Sequence, residues 1–235
     1  MRTWSGSSTT VNPTFEGYLE RQYLFEATQQ LIKREKHLFG EKTEADALKD
    51  HEEAVKMLAA DHKALEEHVW QILQKSLSLS SEEEVFALTS AVKAINLEEE
   101  QDQLWRQRCR TTPAWRPKKW KEHHDKVLHE LVYSRLENPS SPTGDQVNQS
   151  PIRSMGKQVK KDMQWVVEVV KNCYPPEMDI CNFYAREYHQ TFSARLKKIA
   201  DFVLDDKDCS FLLRWVKEFY PGILEKPELA SNIKA

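Results

Sequence analysis

The most constraining stretch of the chain runs from about Thr43 to Lys75. Leu48, Val55, His62 and Val69 recur at seven-residue intervals, with His51, Leu58, Leu65 and Ile72 between them. Steps of three and four place these side chains on one side of an α-helix, in the pattern of a coiled-coil seam. Charged residues fill the opposite side. A seam of this length requires a long helix lying at a shallow angle along partner helices, within the chain or between chains. Two seam positions are histidine, a residue that titrates near neutral pH. No acid or Cys stands at metal-ligand spacing beside them, so they are read as solvated at the edge of the seam, and no metal site is expected.

The rest of the chain supplies such helices. With 40% hydrophobic and 30% charged residues and only 6 Gly among 235 residues, the composition suits long amphipathic helices rather than a turn-rich β protein. Met1–Val11 is polar, and the first 12 residues are expected to form a disordered tail. Asn12-Pro13 offers a helix start, followed by a rough apolar face at Phe15, Tyr18, Leu19, Tyr23, Ala27, Leu31 and Leu38, with Gly40 as its stop. Ser80-Ser81 before Glu82-Glu83-Glu84 is a helix N-terminus: hydroxyl caps, then acids in the first turn. Val85, Leu88, Val92 and Ile95 form its buried face, and the helix runs on to about Arg108. Pro113 and Pro117 break the chain, and a further helix buries Trp120, His124, Val127 and Leu131. Residues 138–153 read as a flexible linker, rich in Pro, Ser and Asn and with serines before prolines.

Beyond the linker, Val159, Met163, Val166, Val170 and Cys173 keep helical spacing up to Pro175-Pro176. The stretch Asp179–Tyr220 reads as an αα-hairpin. Its first stripe is Cys181, Tyr184, Tyr188, Phe192, Leu196, Ile199 and Val203. Its second is Cys209, Leu212, Leu213, Val216, Phe219 and Tyr220, closed by Pro221-Gly222. The expectation is an all-α, elongated bundle of about seven amphipathic helices. Residues 13–137 would form an N-terminal bundle and 154–235 a second helical segment.

Catalytic chemistry is thinly represented. There is no Gly-rich phosphate loop, no nucleophile elbow and no paired-histidine zinc motif. The four cysteines, at 109, 173, 181 and 209, fit neither a zinc pattern nor a dense disulfide framework. No cofactor is implied. No apolar run approaches the ~20 residues that span a bilayer, and the N-terminus lacks the apolar core of a signal peptide, so a cytoplasmic protein is expected. A net charge of −3 does not suggest nucleic-acid binding. The densest acidic group, Glu98-Glu99-Glu100 with Asp102, is read as a solvated face.

One local feature stands out. From Trp105 to Lys121 the residues Arg106, Arg108, Arg110, Arg116, Lys118, Lys119 and Lys121 interleave with Trp105, Trp115 and Trp120, without an intervening acid. Cations gain on the order of 1 kcal/mol each near anionic lipid, and Trp suits the membrane interface. The patch is therefore a candidate contact for acidic phospholipid headgroups or an acidic partner. The competing reading makes the tryptophans core anchors and pairs the cations with Glu98–Asp102 upstream.

Four segments together resemble the exocyst component three (Sec-six) family, closest in character to its exocyst-component-three-like and M-Sec-type paralogues. They are EEEQD at Glu98–Asp102, WRPKKW at Trp115–Trp120, YAREYHQTFSARL at Tyr184–Leu196 and FLLRWVKEFYPGILEKPEL at Phe211–Leu229. The resemblance covers roughly Phe15 to the C-terminus. It implies a helical-rod fold and non-enzymatic vesicle tethering in exocytosis, with exocyst subunits and SNARE proteins as partners. For M-Sec-type members it implies acidic phosphoinositides, Ral-type GTPases and membrane protrusions at the plasma membrane. Family proteins are considerably longer, so the chain is expected to be an N-terminal portion.

Overall fold

The structure, a computed structural model, describes residues 14–40, 48–107, 112–139, 151–202 and 217. Among them it is all α. Seven α-helices follow in order: α1 (Phe15–Glu20), α2 (Leu24–Gly40), α3 (Leu48–Gln74), α4 (Glu82–Arg106), α5 (Trp120–Glu137), α6 (Pro151–Glu168) and α7 (Ile180–Phe202). Two short 3₁₀ turns, Val170–Cys173 and Pro176–Met178, connect α6 to α7. No helix among the described residues is long and apolar enough to cross a membrane.

The single face read from Phe15 to Leu38 is split into α1 and α2. Gln22 takes the left-handed conformation at φ 59°. Its N–H reaches Leu19 O at 3.0 Å, and Tyr23 N–H reaches Tyr18 O at 2.9 Å. That pair of bonds is the Schellman helix stop, usually signalled by glycine; here glutamine fills the position. The start of α4 is as its sequence predicts. Ser81 Oγ accepts from Glu84 N–H at 3.3 Å, and Glu84 reaches back to Ser80 N–H at 2.6 Å, so one orphan donor of the first turn and one just ahead of the helix are satisfied reciprocally.

The seam of α3 closes within the chain, against α2, α4 and α5. Leu58, His62, Leu65 and Val69 are buried. At its C-terminal end Leu73 is the buried residue and Ile72 only half-buried. This is the drift expected when a straight helix of 3.6 residues per turn meets a seven-residue repeat. The histidines are not solvated: His62 is buried, and His51 is half-buried edge-on to Phe39. An interior closed on three sides leaves the α3 seam no edge at His62.

Direction follows from the contacts. Arg34 pairs with Asp61 and Phe39 meets His51, so α2 and α3 are antiparallel. Tyr23 meets Phe86, and Phe25 N–H donates to Ser90 Oγ at 3.0 Å, so α2 and α4 run parallel. Ala87, Ser90, Ala91 and Ala94 are buried along α4 beside Leu88, Val92 and Ile95. Small residues let neighbouring helices approach α4 on several sides, which makes it the central helix of this half.

The core continues from Phe15 to Phe192 as one cluster, and α7 enters it through Cys181, Tyr184, Tyr188 and Phe192. Tyr188 Oη donates to Asp162 at 2.6 Å, and Asp162 also binds Arg135 and Gln158. One buried carboxylate thus ties α5, α6 and α7 together. Tyr184 Oη and Ser76 Oγ are 3.0 Å apart, joining α7 to the end of α3. Cys173 and Cys181 are buried free thiols, and burial pushes both pKa values up. Ile199 lies in α7, but its side chain, Val203 and the second half of the hairpin lie outside what is described, as do Cys109, Cys209 and most of the linker.

Leu65→Ala or Leu88→Ala is expected to lower unfolding free energy by about 2–5 kcal/mol, through lost burial plus the cavity left behind. Met57→Ala, on the exposed side of α3, is expected to stay within about 0.5 kcal/mol. Urea denaturation followed by circular dichroism measures both.

Candidate functional site: a buried ion cluster and its exposed basic rim

Helical spacing explains why the acidic run is not a solvated face. Glu98 and Asp102 are four residues apart on α4, so both point inward, and both are buried. Glu99 is half-buried, and Glu100 is exposed. The loop before α5 delivers the cations. Arg116 Nε donates to Glu35 Oε1 at 3.0 Å and Nη2 to Glu35 Oε2 at 3.2 Å. Nη1 reaches Asp102 Oδ1 at 2.8 Å and Glu98 Oε2 at 2.6 Å. Trp115 Nε1 adds a bond to Glu35 Oε2 at 2.8 Å. Lys118 Nζ donates to Glu98 Oε1 at 2.8 Å and lies 2.7 Å from His62 Nδ1. Its ammonium also sits 4.6 Å from the centroid of the Trp120 ring.

The electrostatics follow from burial and pairing. Burial alone would raise the Glu35 carboxyl, but His62, Arg116 and Trp115 more than reverse that and hold it down at about 2. Burial works against the charge of Arg116, yet Glu98 and Glu35 raise its pKa further. For His62 burial dominates and lowers the pKa, with Lys118 adding to the effect against Glu35 and Glu98. A neutral imidazole accepting from Lys118 at Nδ1 carries its proton on Nε2, which lies 3.4 Å from Glu35 Oε2.

The sequence-predicted patch is thus divided. Arg116 and Lys118 are not surface cations: they are buried in ion pairs with Glu35 and Glu98, because uncompensated carboxylates on α2 and α4 would be far more expensive inside the bundle. Trp105 and Trp120 are buried and Trp115 half-buried, so the tryptophans anchor the core. Arg106 is exposed, 3.8 Å from Glu99. Lys119 is exposed, 3.3 Å from Glu122, and Lys121 is exposed. Arg108 and Arg110 lie outside the described residues. The backbone at Lys119 is left-handed at φ 54°, a strain offset by its N–H bond to Asp102 Oδ2 at 2.9 Å.

Glu35 is a cluster member that sequence reasoning did not single out, and His62, noted as a seam histidine, was read as solvated rather than as part of a buried ion cluster. The signal for Glu35 was present: it falls on the apolar face between Leu31 and Leu38, where an unpaired carboxylate has no place. Chemically the cluster is a closed structural element. Glu35, Glu98 and Asp102 are already engaged by Arg116 and Lys118, which leaves none of them as a base for a substrate.

Arg116→Met removes the guanidinium from Glu35, Glu98 and Asp102, leaving only Glu98 with a cation, Lys118, and is expected to destabilise by about 3–5 kcal/mol, whereas Lys121→Ala stays within about 0.5 kcal/mol. Acid lowers stability in two stages. His62, with its pKa depressed in the fold, loses ground as pH falls below about 6.5, where the unfolded chain takes up a proton. Glu35, at about 2 against 4.5 unfolded, contributes on the order of 3 kcal/mol above pH ~4.5, lost as pH falls toward 2. Melting temperature against pH is expected to fall in both windows, and His62→Gln to remove the first.

The family model for exocyst complex component Sec6 matches residues 55–234. The chain is 34% identical over 124 residues to Tumor necrosis factor alpha-induced protein 2 of Mus musculus, covering 52% of this chain and 18% of that protein. It is 27% identical over 194 residues to Exocyst complex component 3 of Drosophila melanogaster, covering 79% of this chain and 26% of that protein. The crystal structure of M-Sec superimposes with a TM-score of 0.67 at 26% identity, over 93% of this chain and 39% of that one. The chain therefore spans about a fifth to a quarter of the length of these curated relatives. With the family model covering most of the chain, and a helical fold shared with M-Sec, the protein belongs to the exocyst complex component Sec6 family.

Proposed function

We propose that the chain serves as a non-enzymatic tethering segment in exocytosis, binding exocyst subunits and SNARE proteins through its helix faces. The carrying observation is the family match over residues 55–234. The closed ion cluster supports it, since its charges are spent on holding α2, α3, α4 and the α4–α5 loop together. On this reading the protein works in the cytoplasm, at the periphery of the plasma membrane.

A second reading is favoured by the likeness to M-Sec and by the exposed rim of Arg106, Lys119 and Lys121. It is a peripheral membrane protein that takes acidic phosphoinositides and a Ral-type GTPase and promotes membrane protrusions. The lipid contact would rest on those three side chains, joined by Arg108 and Arg110, and not on the buried Arg116 and Lys118.

Purified exocyst subunits and SNAREs, mixed with the tagged chain at moderate salt, distinguish the readings. Retention of either supports tethering; retention of neither by a chain folded by circular dichroism removes it. For the second reading, vesicles containing phosphatidylinositol bisphosphate are expected to sediment the chain. Arg106→Glu/Lys119→Glu/Lys121→Glu is expected to lower the bound fraction about tenfold or more, at roughly 1 kcal/mol per cation and the same again for each reversed charge. Unchanged sedimentation of the triple variant sinks the lipid contact.

A further inference from the structure

Five large apolar side chains stand out as exposed among the described residues: Tyr23, Met57, Phe86, Leu104 and Tyr133. Singly exposed apolar residues are ordinary. Three of these five fall on one seam, that between the parallel helices α2 and α4. Tyr23 and Phe86 form an edge-to-face pair at 5.0 Å at its N-terminal end, and Leu104 lies at the other. Phe86, Ser90, Lys93, Leu97, Gln101 and Leu104 follow one another on α4 in steps of three and four, so they share a face.

The half of this seam nearer Leu104 holds a groove of about 330 Å³, lined by Gln29, Ile32, Lys33, Lys36, Leu97 and Gln101. Its apolar surface comes from Ile32 and Leu97 and the stems of the lysines. Its charge comes from two ammonium groups, with no carboxylate in the lining. Lys93 adds a third exposed cation one turn before Leu97. Neighbouring Arg34 is committed to Asp61 on α3, whereas none of the three lysines forms an ion pair with a described carboxylate. Acids near the strip are Glu26, half-buried on α2, Glu82 and Glu83, exposed in the first turn of α4 before Phe86, and Glu100, exposed farther along α4; none of them lines the groove.

We infer that the α2/α4 seam is a docking groove for an amphipathic helix of another protein chain, one that carries an apolar stripe flanked by Asp or Glu. Phe86 to Leu104 spans about 27 Å at ~1.5 Å per residue, the length of a helix of about five turns. The apolar stripe would lie over Leu97 and the stems of Lys33 and Lys36, above the buried Ile32, and end against the aromatic pair and Leu104. The acidic flank would face Lys33 and Lys36. Helix-in-groove recognition of this kind reads apolar anchors at helical spacing, and the lysines set orientation and partner choice. The inference rests on α2 and α4 and does not depend on the tethering or the lipid reading.

The test uses the whole chain and a stapled helical peptide of about 18 residues, with Leu at every third or fourth position and Glu on both flanks. A second peptide has Lys in place of every Glu. Fluorescence anisotropy is expected to show binding of the Glu peptide and at least about tenfold weaker binding of the Lys peptide. Lys33→Glu/Lys36→Glu, both surface changes, is expected to reverse that preference, and Leu104→Asp to weaken both. Amide chemical-shift changes should map to α2 and α4. Absent binding of the Glu peptide, equal binding of the two peptides, or unweakened binding of the Glu peptide by Lys33→Glu/Lys36→Glu would overturn the inference. So would loss of anionic-vesicle binding in that variant without any peptide binding, which would make the seam a lipid-facing surface instead.

Discussion

Arg116 has five N–H donors and no freedom to shed its charge. Once it lies inside the bundle its surroundings are dictated. Removing a guanidinium from water is expensive, and the expense is offset only if carboxylates meet its whole edge. Glu35 from α2 accepts from Nε and Nη2, while Asp102 and Glu98 from α4 take Nη1. These contacts hold α2 and α4 at one relative height. A slip of one turn moves a helix by about 5.4 Å and would part every one of them. A hydrophobic replacement of the same volume can pack as tightly, but it would not discriminate between such registers. The cluster therefore sets alignment more than it adds net stability.

The same constraint accounts for the neighbouring features. Lys118 is buried because Glu98 has a second oxygen to satisfy. The left-handed Lys119 is the turn that brings its own N–H onto Asp102 and lets α5 begin with Trp120 directed into the core. His62 is buried because its imidazole fills the space between Lys118 and Glu35, a position that a solvated seam edge would not provide. A second carboxylate, Asp162, plays a comparable part for α5, α6 and α7 through Arg135, Gln158 and Tyr188.

Features with a one-dimensional signature were legible from the residues alone. The long α3 follows from its seam, α4 from its serine cap and acidic first turn, and the entry of α7 into the core from its aromatic stripe. The break between α1 and α2 was not, because Gln22 occupies a left-handed position that glycine usually announces. The fate of the basic patch was not legible either. Arg116 and Arg106 look alike in sequence, and only the third dimension brings Glu35, 81 positions away, against the first. Long-range pairing of this kind leaves a trace only as a charge on an apolar face, which is where Glu35 stands.

Two of the segments that carry the family resemblance prove to be halves of one object. The acidic run EEEQD contributes Glu98 and Asp102, and WRPKKW contributes Trp115, Arg116, Lys118 and Trp120. Both lie at the junction between α4 and α5, where Glu98, Asp102, Arg116 and Lys118 are spent on holding helices together. On the readings proposed above, partner choice falls to side chains that the junction leaves outside: Arg106, Lys119 and Lys121 around its rim, and Lys33, Lys36 and Lys93 along the α2/α4 seam. A fold shared across a family fixes where such surfaces can be, while the charges placed on them decide what each member holds.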